Sequence, residues 1–328
     1  MTQNKTSLFR SGAIILAAFL WAVGGVFFIP QLFHIPVLLV VFIQHLIPTF
    51  GIILFILLQP SLRAEIQNIR RHTWLNFLWV AFFGGFLGTY AITQAFFGAY
   101  SAQISVSPIF FLQKLQPIFA VLSAVFILKE SLSKRFWTAG IIALVGSYGL
   151  TFGLSLPEIN TDNQTLISAL WALLAAFSWG ISTTISKKSL QTVSPLIGTF
   201  MRFFLTMSVC FVLILILPQV HLSAIQDISN KEWNLFVIIA VTTGGLALWL
   251  YYWGLKKISA THSAIYEMSM PLFALTLEQF LAPFILSGFE RPVITITQII
   301  SGFILLGGIG YLITQNKKSQ NFSNSRHE

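Results

Sequence analysis

From Gly12 to Thr314 the chain is a succession of apolar runs, each closed by a short polar break. A run of about 20 residues spans the hydrocarbon core of a bilayer as one α-helix. Backbone N–H and C=O groups find no water in that layer, so a chain crossing it must pair them internally, as helices or as a closed barrel. A barrel would show alternating segments of about ten residues, which these runs are not. The charge content agrees: 9% of residues are charged, against about 25% in a soluble domain. The sequence therefore predicts an all-α integral membrane protein embedded in the lipid bilayer.

The breaks delimit ten spans: Gly12–Ile29, Pro36–Leu58, Trp74–Phe97, Ala102–Leu128, Phe136–Leu156, Leu166–Ser186, Pro195–Leu217, Trp233–Gly254, Ala260–Leu286 and Val293–Thr314. With the N-terminus inside, fifteen of the 19 Lys and Arg fall in inner segments, only Lys231 and Arg291 in outer loops, and Lys114 and Arg202 within spans. That asymmetry predicts a multi-pass protein of the cytoplasmic (inner) membrane with both termini cytoplasmic. A cleaved signal peptide is not expected, because Leu16-Ala17-Ala18-Phe19-Leu20-Trp21 recurs as Leu174-Ala175-Ala176-Phe177-Ser178-Trp179.

That recurrence belongs to a longer repeat. Phe42 matches Phe200, and Ser101-Ala102 matches Ser259-Ala260, at the same offset, while Gly84-Gly85 returns as Gly244-Gly245 and Gly140 with Gly146 as Gly302 with Gly308. The polar break from Pro157 to Gln164, which carries no basic residue, is the seam. The expected organisation is a five-helix repeat over 12–156, a second over 166–314, and a cytoplasmic tail over 315–328 that reads as disordered from Lys317 on. Five spans per half make the second half enter from the opposite face, an inverted repeat, which puts a substrate site near the midplane where the halves meet.

The net charge of +9 is spread singly and in pairs between spans, which excludes a nucleic-acid surface. The single cysteine, Cys210, leaves no disulfide and no cysteine metal site. There is no His-Glu-x-x-His, no intramembrane aspartate pair and no phosphate-binding Gly-Lys-Ser/Thr, so neither an enzyme, nor ATP drive, nor a metal or cofactor is expected.

Charges within spans are costly and mark function by default. Lys114 lies in the fourth span beside Gln113 and Gln116, just before Pro117, and Glu267 lies in the ninth beside Tyr266, just before Pro271. These two stretches read as facing walls of one site, with Lys114 and Glu267 either contacting substrate or pairing structurally. Tyr90, Gln94, Trp249 and Tyr252 are further candidates for lining it. Glu267 is the leading coupling carboxylate and Glu278, about three turns on, the second. His45 and Arg202 read as helix–helix hydrogen-bonding groups, with Arg202 at the position of Gln44 in the first half. Trp21 and Trp179 are either packing or cavity walls. Gly84-x-x-x-Gly88 and Gly149-x-x-x-Gly153 allow close helix approach, within the bundle or, for the fifth span, in a homodimer.

The paired tryptophans, the two Gly-Gly pairs, Pro117 followed by Lys129-Glu130-Ser131-Leu132 and Gly140, and Pro271 followed by Phe289-Glu290-Arg291-Pro292 and Gly302 resemble the drug/metabolite transporter superfamily, in its bacterial ten-helix EamA type. Pro271 to Glu290 is longer than Pro117 to Glu130, so the ninth span departs from that pattern. The resemblance implies a secondary transporter working by alternating access, an exporter of small organic metabolites. One ammonium, one carboxylate, several amides and aromatic walls suit a substrate with both signs of charge, such as an amino acid or amine. The competing expectations are a carrier of anionic or nucleotide-type metabolites, with Arg202 as second cation, and an intramembrane protein that does not transport.

Overall fold

The structure, a computed structural model, describes residues 2–102, 109, 112–113, 115–130, 132–154, 163–217, 222–285 and 294–324. Lys114, most of the seam from Pro157 to Gln164 and the Phe289–Pro292 stretch lie outside the described residues.

All described elements are helical. The first span is α1 (Thr2–Val23), continued by a π-helical turn (Gly24–Phe28) and a 3-10 turn (Ile29–Leu32). Next come α2 (Val37–Leu58) and a short helix the sequence reading missed, α3 (Pro60–Gln67), which has no buried residue. The third span is α4 (Arg71–Val80), a π-helical stretch (Ala81–Leu87) and α5 (Gly88–Ala102). The fourth resumes as α6 (Gln116–Ser123) with a π turn (Ala124–Leu128), and α7 (Lys134–Phe152) follows. The later helices are α8 (Asn163–Ser189), α9 (Pro195–Ile216), α10 (Asn230–Ile239), a π stretch (Ala240–Leu246) and α11 (Ala247–Leu255). They end with α12 (Ala260–Glu267), α13 (Met270–Phe280), α14 (Ala282–Ile285) and α15 (Ile296–Asn324). The expected disordered tail from Lys317 is helical as far as Asn324, because nothing in Thr314–Gln320 breaks the helix that the tenth run starts.

Among the described residues six helices are long and apolar enough to cross a membrane: Leu8–Leu32, Val37–Leu58, Arg71–Ala99, Leu166–Ser189, Pro195–Ile216 and Asn230–Leu255. Serines set where several helices begin. The side chains of Ser133, Ser194, Ser229 and Ser259 accept from the backbone N–H groups of Phe136, Ile197, Glu232 and His262, each cap stabilising its helix by about 1 kcal/mol. Pro117 and Pro271 each stand in the first turn of a helix, where a missing N–H costs nothing, so the chain turns at Leu115 and at Met268-Ser269 before helix resumes.

The helices pair in a regular way. The first span packs on the eighth and the third on the sixth; the first packs on the ninth and the fourth on the sixth. The second packs on the seventh, the fourth on the ninth, and the fifth on the tenth. Exchanging the two halves leaves this set of pairs unchanged. The fifth–tenth contact is close because of glycine: a Cβ on Gly146 would lie 2.5 Å from the Leu305 backbone N, and one on Gly149 would lie 2.2 Å from Ser301 Oγ. Gly149 therefore serves packing inside the chain, one of the two uses the sequence left open. Glu130, at the end of the fourth span, accepts from the Ala260 N–H at 3.1 Å and from Thr261 Oγ1 at 2.8 Å, and so caps the helix that opens the ninth.

Candidate functional site

Between the halves lies a cavity of about 230 Å³, lined from the first to the fourth and the sixth to the ninth spans. Its floor is the junction of the two proline-broken spans. The Gln116 side-chain amide donates to the Glu267 carboxylate across 2.9 Å. Gln113, Gln116 and Glu267, all expected as site residues, line the cavity together, and the Tyr251 hydroxyl adds a hydrogen bond to Glu267. Tyr251 also shares hydrogen bonds with Thr183 at 2.9 Å and Ser263 at 3.4 Å, and its ring packs on Trp21 with 5.3 Å between centroids.

The opposite wall depends on the π-helical stretch of the third span. Its Gly84 carbonyl accepts from Trp179 Nε1 at 3.0 Å and from Arg202 Nη2 at 2.8 Å, so one backbone oxygen holds an aromatic wall and a guanidinium in place. Gly84 itself has no room for a side chain, since a Cβ would lie 2.0 Å from Ser182 Oγ. Arg202 Nη1 reaches the Tyr252 hydroxyl at 3.5 Å, and Tyr252 in turn shares a hydrogen bond with Ser186 at 3.0 Å. His45 stands beside Phe203, ring edge to ring face at 5.4 Å, with its Nδ1 2.7 Å from the Val41 carbonyl.

The other expected site residues fall behind this lining. Tyr266 is fully buried and Tyr252 acts through Arg202; neither touches the cavity, and nor does Trp249. Tyr90 and Gln94 hydrogen-bond each other at 2.8 Å, with Tyr90 against Trp171. Glu278, partly buried on α13, is likewise outside the lining. In their place the structure brings in Gln44, His45, Thr93, Trp21, Trp179, Ser182, Thr183 and Arg202. The sequence carried a signal for four of these: Gln44 and Arg202 stand 158 positions apart, the offset of the repeat, and so do Trp21 and Trp179, which read as packing or cavity walls. Among the described residues no cluster of His, Cys, Asp and Glu could hold a metal ion.

Residues 11–152 and again 166–314 match the EamA-like transporter family. The chain belongs to that family. It is a multi-pass membrane transporter of a small molecule, not an enzyme. It is 35% identical to the "Riboflavin transporter ImpX" of Fusobacterium nucleatum subsp. nucleatum (strain ATCC 23726 / VPI 4351) over 274 residues, which is 84% of this chain and 90% of that protein. It is 24% identical over 221 residues to the "Uncharacterized transporter YxxF" of Bacillus subtilis (strain 168), covering 66% of this chain and 62% of that one. A solved crystal structure that is 17% identical superposes with a TM-score of 0.67 over 94% of this chain and 95% of its own, which shows a shared fold.

Proposed function

We propose that this protein is a secondary carrier of a flat, heteroaromatic metabolite of the riboflavin class, working by alternating access across the cytoplasmic membrane. In this reading the chain crosses ten times as two inverted five-helix repeats, 12–156 and 166–314, with both termini in the cytoplasm. The packing pairs, unchanged when the halves are exchanged, support the repeat. The observation that carries the substrate assignment is the lining itself. Rings of Trp21, Trp179, Tyr251 and Phe96 surround amides and hydroxyls of Gln113, Gln116, Thr89, Thr93 and Thr183. Stacking surfaces with many neutral hydrogen-bonding groups suit an aromatic ring system bearing a polyhydroxyl chain. The similarity to a riboflavin transporter over most of both chains points the same way. One chain supplies the whole lining, so the reading needs no second copy.

Arg202 and Glu267 on the same cavity support a second reading, the zwitterionic amino compounds expected from the sequence, exported down their gradient. Counterflow in proteoliposomes decides between them and does not depend on direction. Exchange of labelled riboflavin establishes the first; exchange of a labelled amino acid without riboflavin replaces it with the second. No exchange of either overturns both.

A further inference from the structure

Three polar groups on the wall between the second and seventh spans have capacity that the protein does not use. Gln44 is 8% exposed, and its Nε2 has no hydrogen-bond partner. Arg202 spends Nη2 on Gly84 and Nη1 on Tyr252, yet its Nε is buried and unpaired. His45 lies next to Gln44 in the chain; a carbonyl only accepts, so the 2.7 Å contact with Val41 O fixes the proton of the neutral ring on Nδ1 and leaves Nε2 as an acceptor. All three residues line the cavity, and the two spans carrying them pack directly on each other. A buried donor without a partner costs roughly 1–3 kcal/mol. Two such donors, at equivalent places in the repeat and on residues that line one cavity, mark a site whose partner is the ligand.

We propose that Gln44, His45 and Arg202 form a donor–acceptor–donor array that recognises the imide edge of the substrate, the carbonyl–N–H–carbonyl sequence at the pyrimidine end of a flavin ring. This rests on the flavin reading above and deepens it, because it orients the ring: the imide lies at the wall of the second and seventh spans, and the polyhydroxyl chain at Gln113, Gln116 and Glu267. The array also explains a specificity. A site that leaves buried polar groups unpaired when the ligand lacks the matching edge discriminates far more strongly than an apolar pocket does.

The test measures binding to the purified full-length protein in detergent, by flavin fluorescence and by calorimetry. Wild type should bind riboflavin and also lumichrome, which keeps the imide but lacks the polyhydroxyl chain. N3-methylriboflavin, which has lost the imide N–H, should bind at least tenfold more weakly. Gln44→Leu and Arg202→Gln should each weaken riboflavin at least tenfold, and His45→Phe should bring riboflavin and its N3-methyl derivative to within about threefold of each other. The methylated ligand uses unaltered protein, so the result does not depend on the variants folding. Equal binding of riboflavin and N3-methylriboflavin to wild type overturns the array while leaving the flavin reading intact. If neither flavin binds, the flavin reading falls and uracil, a bare imide, decides the array: binding that Arg202→Gln abolishes upholds it, and no binding overturns it.

Discussion

Gln116, the first residue of its helix, donates to Glu267, the last residue of another, and so joins the two spans that proline interrupts. A carboxylate at a helix C-terminus faces the negative end of the dipole, a placement disfavoured by roughly 0.3–1 kcal/mol, and its donors from the opposite half and from Tyr251 offset that cost. Gln116→Leu should lower thermal stability by about 1 kcal/mol, the scale of one interhelical hydrogen bond in a membrane protein, and cut transport at least tenfold. If Glu267 carries the coupling proton, Glu267→Gln should keep counterflow and lose accumulation against a gradient. Normal accumulation by that variant would remove Glu267 from coupling.

The Gly84 carbonyl holds both Trp179 and Arg202, and Gly84 is packed against Ser182. Adding one methyl group there forces apart the third and sixth spans, with an overpacking cost of about 1–3 kcal/mol. Gly84→Ala should therefore lower the melting temperature and weaken ligand binding together. Adding Ser182→Gly removes the obstructing side chain, and the double variant should recover most of both losses. A purely additive double-mutant cycle would show that the contact is not the cause.

Much of the fold is legible in the sequence because lipid allows so few backbone solutions: the helices at Val37–Leu58 and Pro195–Ile216 lie within a residue or so of the runs that predict them. The π-helical stretches at Ala81–Leu87 and Ala240–Leu246 are not legible, since a wider turn leaves the apolar pattern unchanged. Half of the site follows from the same limit. Gln113, Gln116 and Glu267 were visible as polar groups before prolines, which break helices predictably. Arg202 read as a helix–helix contact, and it does make one, to the carbonyl of Gly84 in the π-helical stretch; it also lines the cavity, which the apolar pattern does not show. Tyr252 has a side chain suited to a cavity wall but sits one residue round the helix from Tyr251 and supports Arg202 instead.

Glycines in the fifth and tenth spans offer a paired comparison. Gly146 lies against the backbone of Leu305, whereas Gly307 has nothing within 4 Å of where its Cβ would be. Gly146→Ala should destabilise by about 1–3 kcal/mol, because backbone cannot move aside as a flexible side chain can. Gly307→Ala should be neutral or stabilise by up to about 1 kcal/mol through helix propensity alone. Unfolding curves in the same detergent check both, and equal effects would mean that the fifth–tenth packing is looser than the geometry shows.

Glu130 binds the start of the ninth span through the Ala260 N–H and the Thr261 hydroxyl, and on the same side Lys187 donates to the Leu255 and Lys256 carbonyls, at 2.9 and 3.1 Å. In the proposed topology these ties lie on the cytoplasmic side of the cavity, whose lining includes Ile29 and Phe96 toward the other side. Glu130→Ala removes two hydrogen bonds to a carboxylate, and a loss of about 1.4 kcal/mol already shifts a two-state equilibrium tenfold. Its population should move toward the inward-open state. In a Cys210→Ser background with Thr183→Cys as reporter in the cavity, Glu130→Ala should raise labelling by a membrane-impermeant thiol reagent at least tenfold from the cytoplasmic face of inside-out vesicles. Glu130→Gln, which keeps an acceptor for either donor, should raise it less. An unchanged labelling rate in Glu130→Ala would mean that the tie holds the helix end without gating the cavity.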